Sequence, residues 1–314
     1  MITADRIDAP VTRRRAVASQ PAPGSEISAA YDGTTTFMRL LRDAYWGPEM
    51  LNLGYYPWYM PIWNMVRPIS SAQRDLAYKL VKLMEVKRGD NVIDIACGRG
   101  CTSYITSTTT PAASVVGVDL LPENIQIAKL IYPTNENFSY QVGDAQNLPF
   151  PDQSFDKALC CEAAFHFPDR AKFMKEAARV LKPGGRMAIC DFVWRSEQAH
   201  EEAHRDQRGA IVRQIWQYED MATEPEYEQF AEEAGLKIAN IDDWSKRVTI
   251  TLQKRGELVT RLARHNLTRK LVCKLLPQYA TLTDAEWERL DKEVKAHRFT
   301  TDRLYYKSFV FEKR

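Results

Sequence analysis

Carboxylates that end two apolar runs are the side chains of this chain best placed to do chemistry. The segment VIDIACGRG contains Asp94 and continues into Gly98 and Gly100. Glycine lets a backbone approach a ligand closely, and a helix that follows would direct free N–H groups at an anionic part of that ligand. Roughly 20 residues later SVVGVDL reaches Asp119, where a carboxylate can accept ribose hydroxyls. The two segments predict a site for a nucleoside-containing ligand.

A dinucleotide is disfavoured as that ligand. Its fingerprint needs a third glycine three residues after Gly100, and Ser103 stands there. The spacing therefore argues against a nicotinamide or flavin cofactor.

Alternating strands and helices must position these residues. Apolar and β-branched runs predict strands at 91–96, 115–119, 138–142, 155–160 and 186–192, and helical spacing predicts helices at 71–84, 122–131 and 170–181. This alternation predicts a parallel sheet covered on both faces. LKPGG is expected to stop the third of these helices, because its proline and glycines are typical of positions beyond a helix end.

The pattern changes in the second half of the chain. A charged helix at 197–221 reads as an insertion, followed by a helix at 226–234, a strand at 236–241 and a helical block at 254–295. The alternation of YYKSFVFEK at 305–313 suits a final antiparallel strand.

Composition limits the class of protein. The 314 residues are 45% apolar and 27% charged, as in ordinary globular proteins, and the net charge of +2 favours no nucleic-acid partner. No apolar run approaches the roughly 20 residues of a membrane span. The six cysteines form no CxxC pair and are expected to be buried thiols in a reducing compartment. We therefore expect a cytoplasmic enzyme.

Four motifs carry a family resemblance. In their order and spacing DIACGRG, VVGVD, VGDAQNLPFPDQSFD and RVLKPGG resemble the class I S-adenosylmethionine-dependent methyltransferases of the small-molecule type, over residues 71–193. The resemblance implies an α/β, Rossmann-like sheet of seven strands, mostly parallel with the last strand antiparallel. It also implies S-adenosylmethionine as cofactor. The family usually has glycine where Ala96 stands, and a side chain this small should still admit the ligand.

The same resemblance implies cofactor-binding residues by position. Asp94, Gly98 and Gly100 would surround the methionine part, Asp119 the ribose, and Asp144 with Ala145 the adenine edge. Further candidates for the cofactor site are Ala96, Leu120 as part of an apolar floor for adenine, Cys161, and Gln73, for which a solvent-exposed helix position is the alternative.

The segment CCEAAFHFPDR leaves the fourth strand and should cross the mouth of the site, because ligands bind beyond the carboxyl ends of parallel strands. It resembles a segment of small-molecule methyltransferases in which a glutamate and a histidine face the acceptor. This places Glu162 and His166 at the site as catalytic candidates. A neutral imidazole could take the proton that the acceptor loses, and the alternative for His166 is a packed residue that orients the loop.

An aromatic segment precedes the core. Its rings either pack a cap onto the sheet or line the acceptor pocket, where Tyr31, Trp46, Tyr55 and Tyr56 are the candidates beside His166. Rings around a developing cation stabilise it by roughly 0.5–2 kcal/mol each. LNLGYYP also resembles the entry segment of tocopherol-type and terpene-modifying C-methyltransferases.

The chain is thus expected to have five parts. They are an N-terminal arm (1–30), an aromatic helical cap (31–70), the cofactor-binding core (71–195), a helical lid (196–225) and a completion of the core with a helical insertion (226–314). The arm is either a flexible tail, a targeting segment or a contact between subunits of a homo-oligomer.

The expected reaction is methyl transfer to a small secondary metabolite, with carbon of an aromatic or isoprenoid-like molecule as the first choice of acceptor. The alternatives are O- or N-methylation of a natural product or sugar and, from another class, a cofactor-binding protein without turnover. Nucleic-acid methylation is disfavoured by the balanced charge.

The segment HEEAH matches a zinc-protease pattern, with His200 and His204 one helical turn apart. Because it lies in a charged helix and the sequence shows no third ligand, we expect a solvated face and no metal.

Overall fold

The computed structural model describes residues 52–57 and 68–314. The predicted arm and most of the predicted cap, including Tyr31 and Trp46, lie outside the described residues.

Seven strands form one mixed sheet. They are β1 (Asn91–Ile95), β2 (Ser114–Asp119), β3 (Phe138–Val142), β4 (Phe155–Cys161), β5 (Leu181–Trp194), β6 (Leu236–Asp243) and β7 (Leu304–Lys313). Their order is β3-β2-β1-β4-β5-β7-β6, and β7 runs antiparallel to both of its neighbours. This confirms the predicted α/β, Rossmann-like sheet with an antiparallel last strand. The strand order reverses between β1 and β4, which is where such sheets bind ligands.

The segment LKPGG lies just past the end of the preceding helix, as expected, and continues directly into a strand. The preceding helix already ends at Val180, and Leu181 is extended and pairs with Phe155 as the first residue of β5. Pro183 favours an extended conformation at Lys182, so the helix cannot continue and the chain runs on into the strand.

Ten α-helices are present in the described part of the chain. They are α1 (Ile69–Leu83), α2 (Cys101–Thr109), α3 (Pro122–Ile131), α4 (Arg170–Val180), α5 (Glu197–Arg205), α6 (Gln207–Trp216), α7 (Glu224–Glu233), α8 (Ser245–Ala263), α9 (Asn266–Leu275) and α10 (Asp284–Thr301). No described helix is long and apolar enough to cross a bilayer.

The segment predicted as a lid contains two helices rather than the single helix predicted at 197–221. Asp206 is extended between α5 and α6, and its carboxylate accepts the Arg208 N–H at 2.8 Å. A side chain that caps a new helix in this way ends the preceding one, because the backbone of the capping residue is not helical.

Two apolar layers cover the sheet. One includes Leu76 and Leu80 of α1, and the other includes Phe173 of α4, all without exposed surface. Burying both faces fixes the strand ends, and the loops that leave them form the candidate site.

Candidate active site

A cleft of about 1000 Å³ opens at the carboxyl ends of the parallel strands. Eight of the predicted cofactor residues line it: Asp94, Ala96, Gly98, Asp119, Leu120, Asp144, Ala145 and Cys161. Both catalytic candidates, Glu162 and His166, also line it. The fold thus brings residues of β1, β2 and β4 and the loops after them to one cavity.

Asp94 is fully buried at the floor of this cleft. One oxygen accepts the Ser103 hydroxyl at 2.6 Å, and Oδ1 accepts no hydrogen bond from any described residue. Burial raises the pKa of Asp94 from its ordinary 3.8 to about 7, and the nearby Asp119 raises it further while Ser103 opposes the rise. A buried oxygen without a donor is costly, so it marks a place for a ligand that donates a hydrogen bond or carries positive charge.

Asp119 joins the glycine turn to the end of β2. Its Oδ2 accepts the Gly98 N–H at 2.8 Å, and its Oδ1 accepts the Leu121 N–H and the Asn124 amide, both at 3.0 Å. Burial raises the pKa of Asp119, against the effect of these donors. The carboxylate therefore holds the turn in shape as well as facing the cleft.

Asp144 and Ala145 form the far wall. The Asp144 Oδ1 accepts the Gln146 N–H at 2.8 Å, which closes a tight turn after β3. Ala145 is buried beside it. This arrangement leaves a carboxylate and a backbone turn at the cleft.

Two predicted cofactor residues do not line the cleft. Gly100 is left-handed, and a Cβ at its position would lie 2.4 Å from the Tyr140 hydroxyl, so glycine is needed there for packing against Tyr140. Gln73 is neither in the cleft nor exposed: it is fully buried and donates to the Asn52 carbonyl at 2.6 Å. Because Asn52 does line the cleft, Gln73 contacts a residue of the site without lining the cleft itself.

Sequence reasoning missed Asn52 and Asn124 as lining residues. Asn124 lies five residues after Asp119 at the start of α3, a position from which a helix residue can reach back to the strand end. No signal in the sequence identified Asn52.

The Glu162 side chain connects three parts of the chain: the loop after β4, the 52–57 segment and β7. Its carboxylate accepts the Leu53 N–H at 3.0 and 3.2 Å and the Tyr306 hydroxyl at 2.7 Å. Burial raises the pKa of Glu162 to about 8, although both donors favour the charged form. Glu162 thus anchors the 52–57 segment to β7 at the edge of the cleft.

His166 sits in a short 3₁₀ turn, Ala164–His166, that leaves β4. Its Nδ1 lies 3.3 Å from the Gln217 carbonyl at the end of α6. Since a carbonyl can only accept, Nδ1 carries the proton and Nε2 keeps its lone pair. Burial lowers the pKa of His166 from 6.5 to about 4, so the ring is neutral near pH 7.

Backbone strain concentrates at this cleft. Among the described residues, five non-glycine residues have positive φ; Ala96 and Glu162 line the cleft, and Gln217 contacts His166, which lines it. Such conformations cost on the order of 1 kcal/mol or more each and persist where the surroundings impose them.

Tyr55 and Tyr56, which were predicted as candidates for the acceptor pocket, are not among the residues that line the cleft. The N–H of Tyr55 donates to Ala72 of α1, and its ring packs edge-on against Trp244 at 5.7 Å. Tyr56 is buried and donates its N–H to the Arg247 carbonyl at 2.7 Å. Both rings pack the 52–57 segment onto the neighbouring helices, the cap-packing alternative.

Comparison with known proteins agrees with this geometry. Residues 93–189 match the methyltransferase domain family. Over 242 residues the chain is 30% identical to the 27-O-demethylrifamycin SV methyltransferase of Amycolatopsis mediterranei, covering 76% of this chain and 83% of that protein.

Solved structures share the fold. The [4+2]-cyclase SpnF superposes with a TM-score of 0.67 at 19% identity, covering 94% of this chain and 99% of that one. The geranyl diphosphate C-methyltransferase of Streptomyces coelicolor A3(2), solved with Mg²⁺, geranyl diphosphate and S-adenosyl-L-homocysteine, superposes with a TM-score of 0.62 at 14% identity, covering 94% and 100%.

The sheet is covered on both faces, and the cleft lies where its strand order reverses. One relative matches this chain over most of the length of both proteins. Together these observations identify the family. The chain belongs to the S-adenosylmethionine-dependent methyltransferases and transfers methyl groups from that cofactor to small molecules.

Proposed function

We propose that this enzyme methylates a small secondary metabolite with an apolar, aromatic or isoprenoid-like body. The observation that carries the proposal is a second, mainly apolar cavity beside the cofactor cleft. Leu53 lines this cavity, and its N–H donates to Glu162, which lines the cleft. The acceptor's body would occupy the second cavity, with its reacting atom at the cleft.

The lining of the second cavity is mainly apolar. Leu53, Trp216, Leu252, Gly256 and Val294 supply most of it. Pockets of this kind bind ligands mainly by removing apolar surface from water, at about 25 cal/mol per Å². This lining favours an apolar acceptor over a sugar or a charged amine.

The proposed cofactor contacts follow from the cleft. Oδ1 of Asp94 would accept from the ammonium of the methionine part, and Asp119 has one lone pair left, on Oδ2, for a ribose hydroxyl. Asp144 and Ala145 would meet the adenine. The bound cofactor supplies an activated methyl group on a sulfonium, so these residues act by holding the donor in line with the acceptor.

His166 is proposed as the proton acceptor. Its neutral ring, with Nε2 as the nitrogen without a proton, can accept a hydrogen bond from an acceptor hydroxyl. It would take that proton as the hydroxyl oxygen bonds to the methyl carbon and the carbon–sulfur bond of the donor breaks. A pKa of about 4 makes it a weak base, which suffices because a hydroxyl becomes strongly acidic as its oxygen is methylated.

This role of His166 favours a hydroxyl oxygen as the receiving atom, which is the chemistry in the name of the rifamycin relative. Carbon is the second candidate. The rings of Phe165, Phe192 and Trp216 pack within 6.1 Å of one another next to His166, and such rings would stabilise a carbocation formed by C-methylation.

Cofactor labelled with ¹³C in its methyl group tests the proposal. The enzyme is offered a panel of apolar phenols and prenylated hydroquinones, and a matched panel of amino sugars. We expect label in the apolar panel, and the carbon shift of the product methyl distinguishes O- from C-methylation. Transfer to the amino sugars with none to the apolar panel would contradict the proposal.

A variant pair tests the second cavity. Leu252→Trp fills it, whereas Leu252→Met conserves its volume. We expect Leu252→Trp to raise KM for an apolar acceptor about tenfold or more and to leave cofactor affinity unchanged. Equal KM values for the two variants would show that the acceptor binds elsewhere.

A further inference from the structure

A cluster of three metal-ligating side chains lies in the lid, outside the cleft. His200, His204 and Asp220 each offer one ligand atom, and these atoms lie within 4.8 Å of one another. Nε2 of His200 is 3.1 Å from Oδ1 of Asp220. The fold therefore supplies the third ligand that the sequence did not reveal, and both histidines are half-buried rather than on the expected solvated face.

The ring nitrogens are arranged as in metal sites. Nδ1 of His204 lies 3.1 Å from the His200 carbonyl, and Nδ1 of His200 lies 3.4 Å from the Glu197 carboxylate. Histidine ligands usually donate one ring N–H to a carbonyl or carboxylate, which leaves the other nitrogen for the metal. On His204 that nitrogen is Nε2. On His200, Nε2 is the nitrogen that faces Asp220, while Nδ1 lies near the Glu197 carboxylate without hydrogen-bonding to it.

The carboxylate is held in place as well. Oδ1 of Asp220 accepts the Trp194 indole N–H at 3.0 Å and the Met221 N–H at 2.8 Å. The Trp194 ring also packs against both imidazoles, at 5.5 Å from His200 and 6.0 Å from His204. A rigid and partly dehydrated setting of this kind reduces what ordering the ligands would cost on binding.

We propose that His200, His204 and Asp220 bind a divalent transition-metal ion of the zinc type. Two imidazoles and one carboxylate suit Zn²⁺, with water completing the tetrahedron. The protease reading of HEEAH does not apply, because Glu201 is exposed and pairs with Arg205 at 2.9 Å. The ion would fasten α5 to the loop that follows α6.

That loop also contacts the active site. Its first residue, Gln217, is the partner of His166 Nδ1. Arg170 donates to the carbonyl of Phe167, which lines the cleft, and to the carbonyl of Asp220. Metal binding would therefore hold the segment that sets the tautomer of His166, while the ion itself stays away from the reacting atoms.

The test uses the full chain without a polyhistidine tag, stripped by a chelator and titrated with Zn²⁺ against a chromophoric competitor. We expect one Zn²⁺ per chain and a rise of the thermal unfolding midpoint on binding. His204→Gln should weaken Zn²⁺ binding at least 100-fold and abolish the thermal shift. His265→Gln, which changes an exposed histidine outside the cluster, is the matched control and should bind as the parent does.

Glu197→Gln is the second variant and keeps all three ligands. It removes only the charge of the carboxylate beside His200 and should weaken binding about tenfold or more. It also keeps the proposal testable if His204→Gln does not fold. Binding of less than one Zn²⁺ per chain by the parent, or equal affinity in the parent, His204→Gln and Glu197→Gln, would overturn it. Because the readouts are stoichiometry and unfolding, the result does not depend on which acceptor is methylated.

Discussion

Replacing Asp94 by asparagine is the most informative perturbation of the cofactor cleft. Asp94→Asn keeps the shape of the side chain and removes its titration. The folded chain holds a proton on Asp94 up to about pH 7, whereas the unfolded chain releases it near 3.8. Raising the pH through this window therefore destabilises the folded enzyme.

The magnitude follows from the two pKa values. They differ by about 3 pH units, and at about 1.36 kcal/mol per unit the parent loses about 4 kcal/mol of unfolding free energy between about pH 4 and pH 8 because of this group. Asp94→Asn lacks that loss. Its stability relative to the parent should therefore rise by the same amount as the pH increases.

The affinity of the parent for the cofactor should depend on pH in the opposite sense to its stability, and should increase as the pH rises. Below about pH 7 the parent must release a proton before Asp94 can pair with an ammonium group, so its affinity should fall by up to tenfold per pH unit. A hydrogen bond to a charged group contributes about 1.5–3 kcal/mol. Near pH 8, Asp94→Asn should therefore bind S-adenosylhomocysteine roughly 10- to 100-fold more weakly than the parent.

Urea unfolding across this pH range and calorimetry with S-adenosylhomocysteine measure the two effects. Asp191→Asn is the matched control, since Asp191 is also buried, its pKa is raised to about 6 by burial, and it does not line the cleft. It should alter the dependence of stability on pH and leave cofactor affinity unchanged. If Asp94→Asn bound the ligand as the parent does at every pH, the reasoning about the unpaired oxygen would be wrong.

Three further substitutions probe the surroundings of the cleft. Gly100→Ala should destabilise the fold by roughly 2–4 kcal/mol in urea unfolding, because the added methyl meets Tyr140 in a left-handed backbone conformation; a loss below about 1 kcal/mol would contradict this. Tyr306→Phe removes the hydroxyl that favours the charged form of Glu162, so the pKa of that carboxyl should rise further above about 8. A pH–rate profile unchanged from that of the parent would contradict this rise in the pKa of Glu162. Ala96→Gly should relieve left-handed strain and stabilise the chain by up to about 1 kcal/mol in thermal unfolding; destabilisation would mean that the Ala96 methyl contributes to packing.

The sequence by itself predicted the sheet and most of the cleft. Apolar runs of strand length and the glycine turn depend on local physics, namely the burial of central parallel strands on both faces and the steric freedom of glycine. In parallel strands the carboxyl ends meet at one edge, so Asp94, Asp119 and Glu162 could be expected in one place before any contact was known.

Tertiary structure decided which atoms face that place. Tyr140 fills the space beside Gly100 from 40 residues away, and Gln73 turns inward to Asn52 although its helix pattern allowed exposure. Asp220 follows the second of the two helices that a break at residue 206 separates, and it lies beside His200 and His204 of the first. Local periodicity reports which side of an element is buried, whereas contacts between distant segments depend on how whole elements pack, and that information lies in no single stretch of the chain.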